Sequence, residues 1–443
     1  MKRLPFLLTL ACATTVQATD IVSGPMLGYR DMRTTAVWFQ ADGPGTAQVE
    51  YWRQDRPDQH QSTEPSPLRS EDDFAARVDI TALAPGASYA YRILIDGQAV
   101  ASGAGTFVTE KLWQWRQDPP DTSVLVGSCA YINDAEYDRP GKPYGGGMEI
   151  FAAMAAQHAD WMIWLGDHLY LREADATSAW GISARYRQVR SFPALQPLLR
   201  SGHHVAIWDD HDYGPNDANA SYPLKAASLT AFRRYWANPS YGLPELPGTF
   251  TITHTADADF FLLDNRWYRD ADSLQAPAKA MFGPAQMRWL KNALVNSTAT
   301  FKIIVGGSQF LSEDHPYEGW HHFAEERQDF LDWLAVQKLD GVLFVSGDRH
   351  HTELLKLDRP GSYPLLDLTC SPLTSGTHPI GPEAGNPRRV AGTLLTEHNF
   401  CRLDFSGPLK QRRLTLRAFA SDGSERWHKE FPIGELSQTE RKR

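Results

Sequence analysis

A chain of 443 residues is too long for one small core, so two domains are the reasonable expectation. Its hydrophobic content of 42% and charged content of 22% suit a folded protein, and no apolar stretch is long enough to span a bilayer. The formal net charge of -9 excludes a general electrostatic grip on polyanions, so nucleic-acid binding is not expected and a small anionic substrate would need a local positive charge.

In chain order, the first residues read as an export address. Lys2 and Arg3 form a basic start, Leu4 to Thr15 is mostly apolar, and Val16-Gln17-Ala18 offers small residues for cleavage. The mature chain is expected to begin at Thr19, in a periplasmic or secreted location. The basic pair is Lys-Arg, so a twin-arginine route is not supported, and Thr9 is a poor residue three places before Cys12 for lipid attachment. Beyond the leader stand Cys129, Cys370 and Cys401. An odd count in an oxidising compartment leaves at least one thiol free, metal-bound or paired between chains. Cys370 and Cys401 could pair with each other, which would leave Cys129 alone.

Residues 19–110 read as an all-β sandwich domain. Thr35 to Phe39, Ala47 to Trp52, Ala75 to Ile80, Ser88 to Ile95 and Gly105 to Val108 are short strand-like runs punctuated by Gly and Pro. The stretch Leu83 to Tyr91 resembles the tyrosine-corner turn of fibronectin type III sandwiches, where a Tyr hydroxyl pins the backbone. The Trp-rich segment Lys111 to Pro120 reads as a linker.

From residue 122 to 443 the grammar becomes that of an α/β domain. Buried-strand runs are expected at Val124 to Val126, Asp160 to Leu165, His204 to Trp208, Phe260 to Leu263, Phe301 to Val305 and Val342 to Val345. Helical spacing marks Met148 to Gln157, Leu224 to Trp236, Pro284 to Leu294 and Ala324 to Val336. This alternation argues for a layered fold, with further strands at Arg402 to Phe405, Arg413 to Phe419 and Trp427 to Phe431.

Four polar clusters each follow a buried strand, and ligands in α/β sheets bind at the carboxyl ends of strands. Gly127-Ser128-Cys129 places a thiol there, a ligand for a borderline metal once deprotonated. Gly166-Asp167-His168-Leu169-Tyr170 offers a carboxylate able to bridge two ions and a phenol three residues on. Trp208-Asp209-Asp210-His211-Asp212 sets three carboxylates around one His, which repel one another without a cation. In Ser346-Gly347-Asp348-Arg349-His350-His351, Asp348 and His350 point the same way if the chain is extended, with Arg349 or His351 facing elsewhere.

These motifs, in this order and approximate spacing, resemble the alkaline phosphatase D-like family of calcineurin-like metallophosphoesterases, which is related to purple acid phosphatases. Softer matches are Leu263-Asp264-Asn265-Arg266 and Gly283 to Leu290. The resemblance implies a four-layer metallophosphoesterase sandwich, two β-sheets flanked by helices, preceded by the fibronectin III-like domain. It implies Fe3+ held by Cys129, Asp167, Tyr170 and His350. A second ion, Ca2+ with Mn2+ or Mg2+ also fitting, would use Asp167, Asp210 and Asp348.

The expected activity is two-metal hydrolysis of a small phosphate mono- or diester, with His211 protonating the leaving oxygen or binding the phosphoryl group. The loops Tyr131 to Tyr144 and Ser312 to Phe323 either cap the site with aromatic rings or pack down. The competing reading is a surface adhesion or binding protein with a non-catalytic metal site.

Overall fold

The structure is a computed structural model describing residues 19–313 and 315–438. The export address expected over residues 1–18 lies outside the described residues, as does Cys12.

The N-terminal strands are β1 (Ile21–Arg30), β2 (Thr35–Ala41), β3 (Gly45–Arg53), β4 (Gln61–Ser62), β5 (Ser66–Leu68), β6 (Ala75–Ile80), β7 (Ser88–Ile95) and β8 (Gln98–Val108). Alternating inward residues such as Val37, Phe39, Val49, Tyr91 and Ile93 close a sandwich core between β1-β2-β6 and β4-β3-β7-β8, with β5 paired to β3. The tyrosine corner is present: the Ala84 N–H donates to the Tyr89 hydroxyl at 2.9 Å.

The remaining elements in order are β9 (Thr122–Gly127), α1 (Ile150–Ala155), β10 (Trp161–Leu165), α2 (Ala179–Arg190), α3 (Gln196–Leu199), β11 (His203–Ile207), α4 (Asp210–Tyr213) and α5 (Lys225–Tyr235). There follow β12 (Thr251–Thr255), β13 (Ala258–Leu262), α6 (Pro284–Asn296), β14 (Phe301–Val305), α7 (Ala324–Gln337), β15 (Val342–Ser346), β16 (Glu353–Leu357) and β17 (Leu365–Thr369). The last strands are β18 (Asn399–Ser406), β19 (Arg413–Ala420) and β20 (Glu425–Pro432).

A nine-stranded sheet runs β20-β19-β18-β9-β10-β11-β1-β2-β6, and a six-stranded sheet runs β12-β13-β14-β15-β17-β16. Side chains alternate across the first sheet. Val124, Val126, Ile163, Leu165, Val205 and Ile207 face the second sheet, while Leu125, Met162, Trp164 and Ala206 face α1, α2, α3 and α5. Helices α6 and α7 cover the other sheet, giving the four layers.

Hydrogen bonding runs across the change of grammar near residues 110–122. Strand β1 pairs in parallel with β11 through Leu27 and His203, so half of the sandwich extends the sheet of the α/β domain. The helix α2 buries only two aliphatic side chains, Ile182 and Val189. Its buried side carries Arg185, Tyr186 and Arg190, and the Arg190 guanidinium stacks 3.8 Å from the Trp236 ring centroid. A disulfide joins Cys370, just after β17, to Cys401 in β18, tying the two sheets together and leaving Cys129 as a buried free thiol.

Candidate metal centre

The parallel strands β9, β10 and β11 end side by side, and the loops leaving them touch. A Cβ on Gly166, at φ +89°, would lie 2.6 Å from the Asp209 Cβ; one on Gly347 would lie 2.4 Å from the Ser128 Oγ. Glycine at these two positions therefore permits the motif loops to meet. Cys129, Asp167, Asp348 and His350 all have φ between +49° and +67°. Left-handed backbone at four non-glycine residues in one place is strain that the surrounding packing must hold.

This corrects the expectation of an extended chain through Asp348 and His350, since both are left-handed. Arg349 or His351 is expected to face elsewhere, but both line the cleft; Arg349 pairs with Glu383 at 2.7 Å and lies 4.3 Å from the Tyr317 ring centroid.

Cys129 Sγ lies 3.7 Å from Asp167 Oδ2. Burial, then the Asp167 and Asp348 charges, push its thiol well above the ordinary value. Tyr170 is buried, packs with Cys129 and Tyr131, and donates its hydroxyl to His350 Nε2 at 3.3 Å. His350 Nδ1 sits 2.6 Å from the Gly376 carbonyl. A carbonyl only accepts, so Nδ1 carries the proton and Nε2 presents its lone pair toward the cluster. Burial, with the neighbouring His378, His211 and Arg349, lowers its pKa to about 3.

The three acids of the third motif divide. Asp212 is closed off: it accepts the N–H groups of Asp209 at 2.8 Å and Asp167 at 3.1 Å and pairs with His168 Nδ1 at 2.5 Å. His168 is itself satisfied through the Trp236 indole N–H at 3.0 Å. Asp209 Oδ1 accepts Asn265 at 2.6 Å and Arg266 at 2.5 Å, so a protein cation offsets part of the expected repulsion. Asp210 Oδ2 accepts the Asp217 N–H at 2.8 Å. Although burial opposes it, the charges of His211 and Arg266 bring the Asp210 carboxyl to about 2.

What remains is a set of buried carboxylate oxygens with no hydrogen-bond partner: Asp209 Oδ2, Asp210 Oδ1 and Asp348 Oδ2. Asp167, Asp210 and His211 bring ligand atoms within 4.8 Å of one another, as do Asp167, Asp209 and Asp348, and Asp209, Asp210 and Glu318. Burial and these neighbouring carboxylates push Asp167 far above its ordinary range; burial does the same to Asp348. Arg266 comes only to 3.8 Å from Asp210 Oδ1 and Arg349 to 3.9 Å from Asp348 Oδ2; buried oxygens of one sign without hydrogen bonds call for a closer cation, so the donor set fits metal ions.

The fold thus brings Cys129, Asp167, Tyr170 and His350 into one cluster and Asp210 and Asp348 beside it. The His211 ring packs against Tyr170 with centroids 4.1 Å apart and planes tilted by 31°, and the His211 backbone N–H donates to Asp167 Oδ1 at 3.3 Å. Asp210, His211, Asp348 and His350 border a cavity of about 940 Å³ whose wall also includes Tyr144, Tyr317, Asn216 and His378; Cys129, Asp167 and Tyr170 are buried and do not line it. The aromatic loops split: Tyr144 and Tyr317 face the cavity, whereas Trp320 and Phe323 join the core. Sequence reasoning missed Asp209, Glu318 and Tyr144 as site residues. Asp209 stood inside a motif already noted; for Glu318 and Tyr144 only the polar and aromatic character of their loops was a signal.

Residues 124–412 match a family model described as PhoD-like phosphatase, and residues 18–111 match one described as a domain of unknown function, DUF7800. No curated protein matches the sequence. Among solved structures, the chain is similar to PhoD, with a TM-score of 0.74, 16% identity and coverage of 94% of this chain and 92% of that one. It is also similar to the purple acid phosphatase PPD1 from seeds of yellow lupin (Lupinus luteus), with a TM-score of 0.67, 11% identity and coverage of 92% and 73%. At these identities the likeness is one of fold.

Proposed function

Because the chain belongs to the PhoD-like phosphatase family, and so is a metal-dependent phosphoester hydrolase, we propose that it is an exported enzyme cleaving small phosphate mono- or diesters at a two-metal centre. The observation that carries this reading is the convergence of unpartnered buried carboxylate oxygens around Asp167. A non-catalytic adhesion protein would have no use for that arrangement, and the family match removes that alternative.

Cys129, Tyr170 and His350 would hold a more Lewis-acidic ion, Fe3+ by the chemistry of thiolate and phenolate. Asp210 and Asp348 would hold a second ion bound through oxygen alone, Ca2+, for which Mn2+ or Mg2+ would also suit. Asp167 serves both. When bound, the ions supply Lewis acidity for the phosphoryl oxygens and lower the pKa of a coordinated water. The protein does the rest. His350 keeps its Nε2 lone pair available because Gly376 fixes the tautomer. Asp212 and His168 lock the second and third motif loops together so that Asp167 and Asp210 keep their spacing. His211, held against Tyr170 and open to the cavity, delivers a proton to the leaving oxygen. Tyr144 and Tyr317 give the cavity wall two rings on which an organic substituent can rest, which favours diesters.

Export fits the Cys370–Cys401 disulfide, a bond that persists in oxidising compartments. Elemental analysis of the purified protein, run beside p-nitrophenyl phosphate and bis-p-nitrophenyl phosphate, tests the proposal. Two ions per chain, a visible phenolate-to-iron band and faster diester cleavage are expected. A colourless protein active with Ca2+ or Mn2+ alone would remove iron, and full activity in a metal-free protein would remove the mechanism.

A further inference from the structure

We propose that the Trp-rich segment between the sandwich and the catalytic sheets is a docking element for an anionic lipid bilayer surface. It lies outside the chemistry described above, in the run Lys111-Leu112-Trp113-Gln114-Trp115-Arg116. Trp115 is 102% exposed, so its ring rests on no neighbour, and Leu112 beside it is 42% exposed. Isolated surface leucines need no explanation, but a wholly exposed indole does. Trp115 also has φ +63°, a left-handed backbone that bulky residues rarely adopt. The turn around it is held by the Trp113 N–H on the Lys111 carbonyl at 3.1 Å, and by the N–H groups of Arg116 and Gln117 on the Trp113 carbonyl at 2.9 and 3.0 Å. The fold therefore fixes the backbone around a ring for which it supplies no internal pocket.

A second loop stands alongside. The Leu409 N–H donates to Asp118 Oδ1 at 3.0 Å, three residues beyond Trp115, and Leu409 is itself 45% exposed and followed by Lys410. Two adjoining loops thus each carry an apolar side chain beside a cation. Lys111, Arg116 and Lys410 are exposed and have no carboxylate partner among the described residues. Of the nearby acids, Asp121 is paired with Arg412 at 3.2 Å and accepts the Gly407 N–H at 3.0 Å, whereas Asp118, which accepts only the Leu409 backbone N–H, keeps its charge, so the three cations face one anion without a cation partner. In a chain of net charge -9, unpaired cations gathered around an exposed Trp and two exposed leucines match the headgroup region of an anionic bilayer. Indole rings settle at that depth, and clustered Lys and Arg are drawn to the surface charge.

The placement has a consequence for orientation. The segment leads into the start of β9, whereas Cys129 follows its end, so a strand length of about 20 Å separates the two. A docked enzyme turns its cavity away from the lipid and toward solutes.

Co-sedimentation of the full chain with vesicles of mixed phosphatidylglycerol and phosphatidylcholine tests this. Binding is expected at low salt and release at high salt. Trp115→Ala should bind markedly less, and the triple variant Lys111→Ala, Arg116→Ala, Lys410→Ala should lose about fivefold per cation, roughly 100-fold in all. Trp180→Ala, which removes an exposed indole elsewhere, should sediment like the wild type, and all variants should keep their turnover on a soluble ester. The proposal is overturned if the wild type stays in the supernatant, if it binds pure phosphatidylcholine vesicles equally well, or if Trp115→Ala binds unchanged. Capture by a polysaccharide in place of the vesicles would assign the loop to another partner and overturn it as well.

Discussion

In the sandwich, the Tyr89 hydroxyl accepts the Ala84 N–H, while Thr109 Oγ1 accepts from the Ala87 N–H and donates to the Ala84 carbonyl. In the cleft, Tyr170 is just as buried, yet it faces a thiol, an imidazole lone pair and carboxylates whose outer oxygens have no hydrogen-bond partner. The first region is complete within a few residues of chain. The second is assembled from four strand ends and is electrostatically unfinished, because acids alone cannot balance one another in a buried space. A polar group that closes on its own backbone reports stability; one left open among like charges reports a ligand.

Breaking the open region should have the largest effect. Asp167→Asn is expected to abolish metal uptake and turnover, measured by elemental analysis and ester hydrolysis. The same change should make the metal-free protein more resistant to denaturant than metal-free wild type, since it removes one of the mutually repelling acids. If the metal-free variant were less stable, the acids would be settled by the protein itself and the contrast with the sandwich would fail. His211→Ala should reduce turnover by about 10²- to 10⁴-fold while metal content stays unchanged. Full activity in that variant would leave His211 as a packing partner of Tyr170 only.

Two smaller effects probe what holds each region. The disulfide closes a segment with a sequence separation of 31 between the two sheets. Replacing both cysteines by Ala should lower unfolding free energy by about 3–4 kcal/mol in a denaturant titration, with the site geometry kept by the sheets. Tyr89→Phe leaves the Ala84 N–H without its acceptor. It should cost about 1–2 kcal/mol and leave turnover untouched; a loss of activity would show that the sandwich supports the cleft more closely than its local bonding suggests.

Much of the site was legible because it sits where strand grammar ends. Cys129, Asp167 and Asp210 each follow an uninterrupted buried run, and a polar residue in that position is exposed to the cleft by the geometry of parallel strands. The convergence of Asp348 and His350 was anticipated for the wrong reason, because their left-handed backbone depends on contacts such as the Ser128 Oγ accepting the Asp348 N–H at 3.3 Å. The helix α2 was passed over because Arg185 and Arg190 stand on its buried side, where aliphatic periodicity would have been the sign. Strand β1 was also missed, and with it the extension of the catalytic sheet into the sandwich.

By itself the sequence determined the layers, the tyrosine corner and which residues are candidate donors, since these follow from periodicity and from residue chemistry that neighbours along the chain do not alter. Only the tertiary structure decided how the donors are shared out. Arg266 reaches Asp209 across 57 positions and Tyr144 reaches His350 across 206. The first pairing sets Asp209 Oδ1 apart from the acid oxygens left without a hydrogen bond, and the second fixes a ring at the cleft. The reason is that charge in a buried space is settled by distance in three dimensions, to which separation along the chain is no guide.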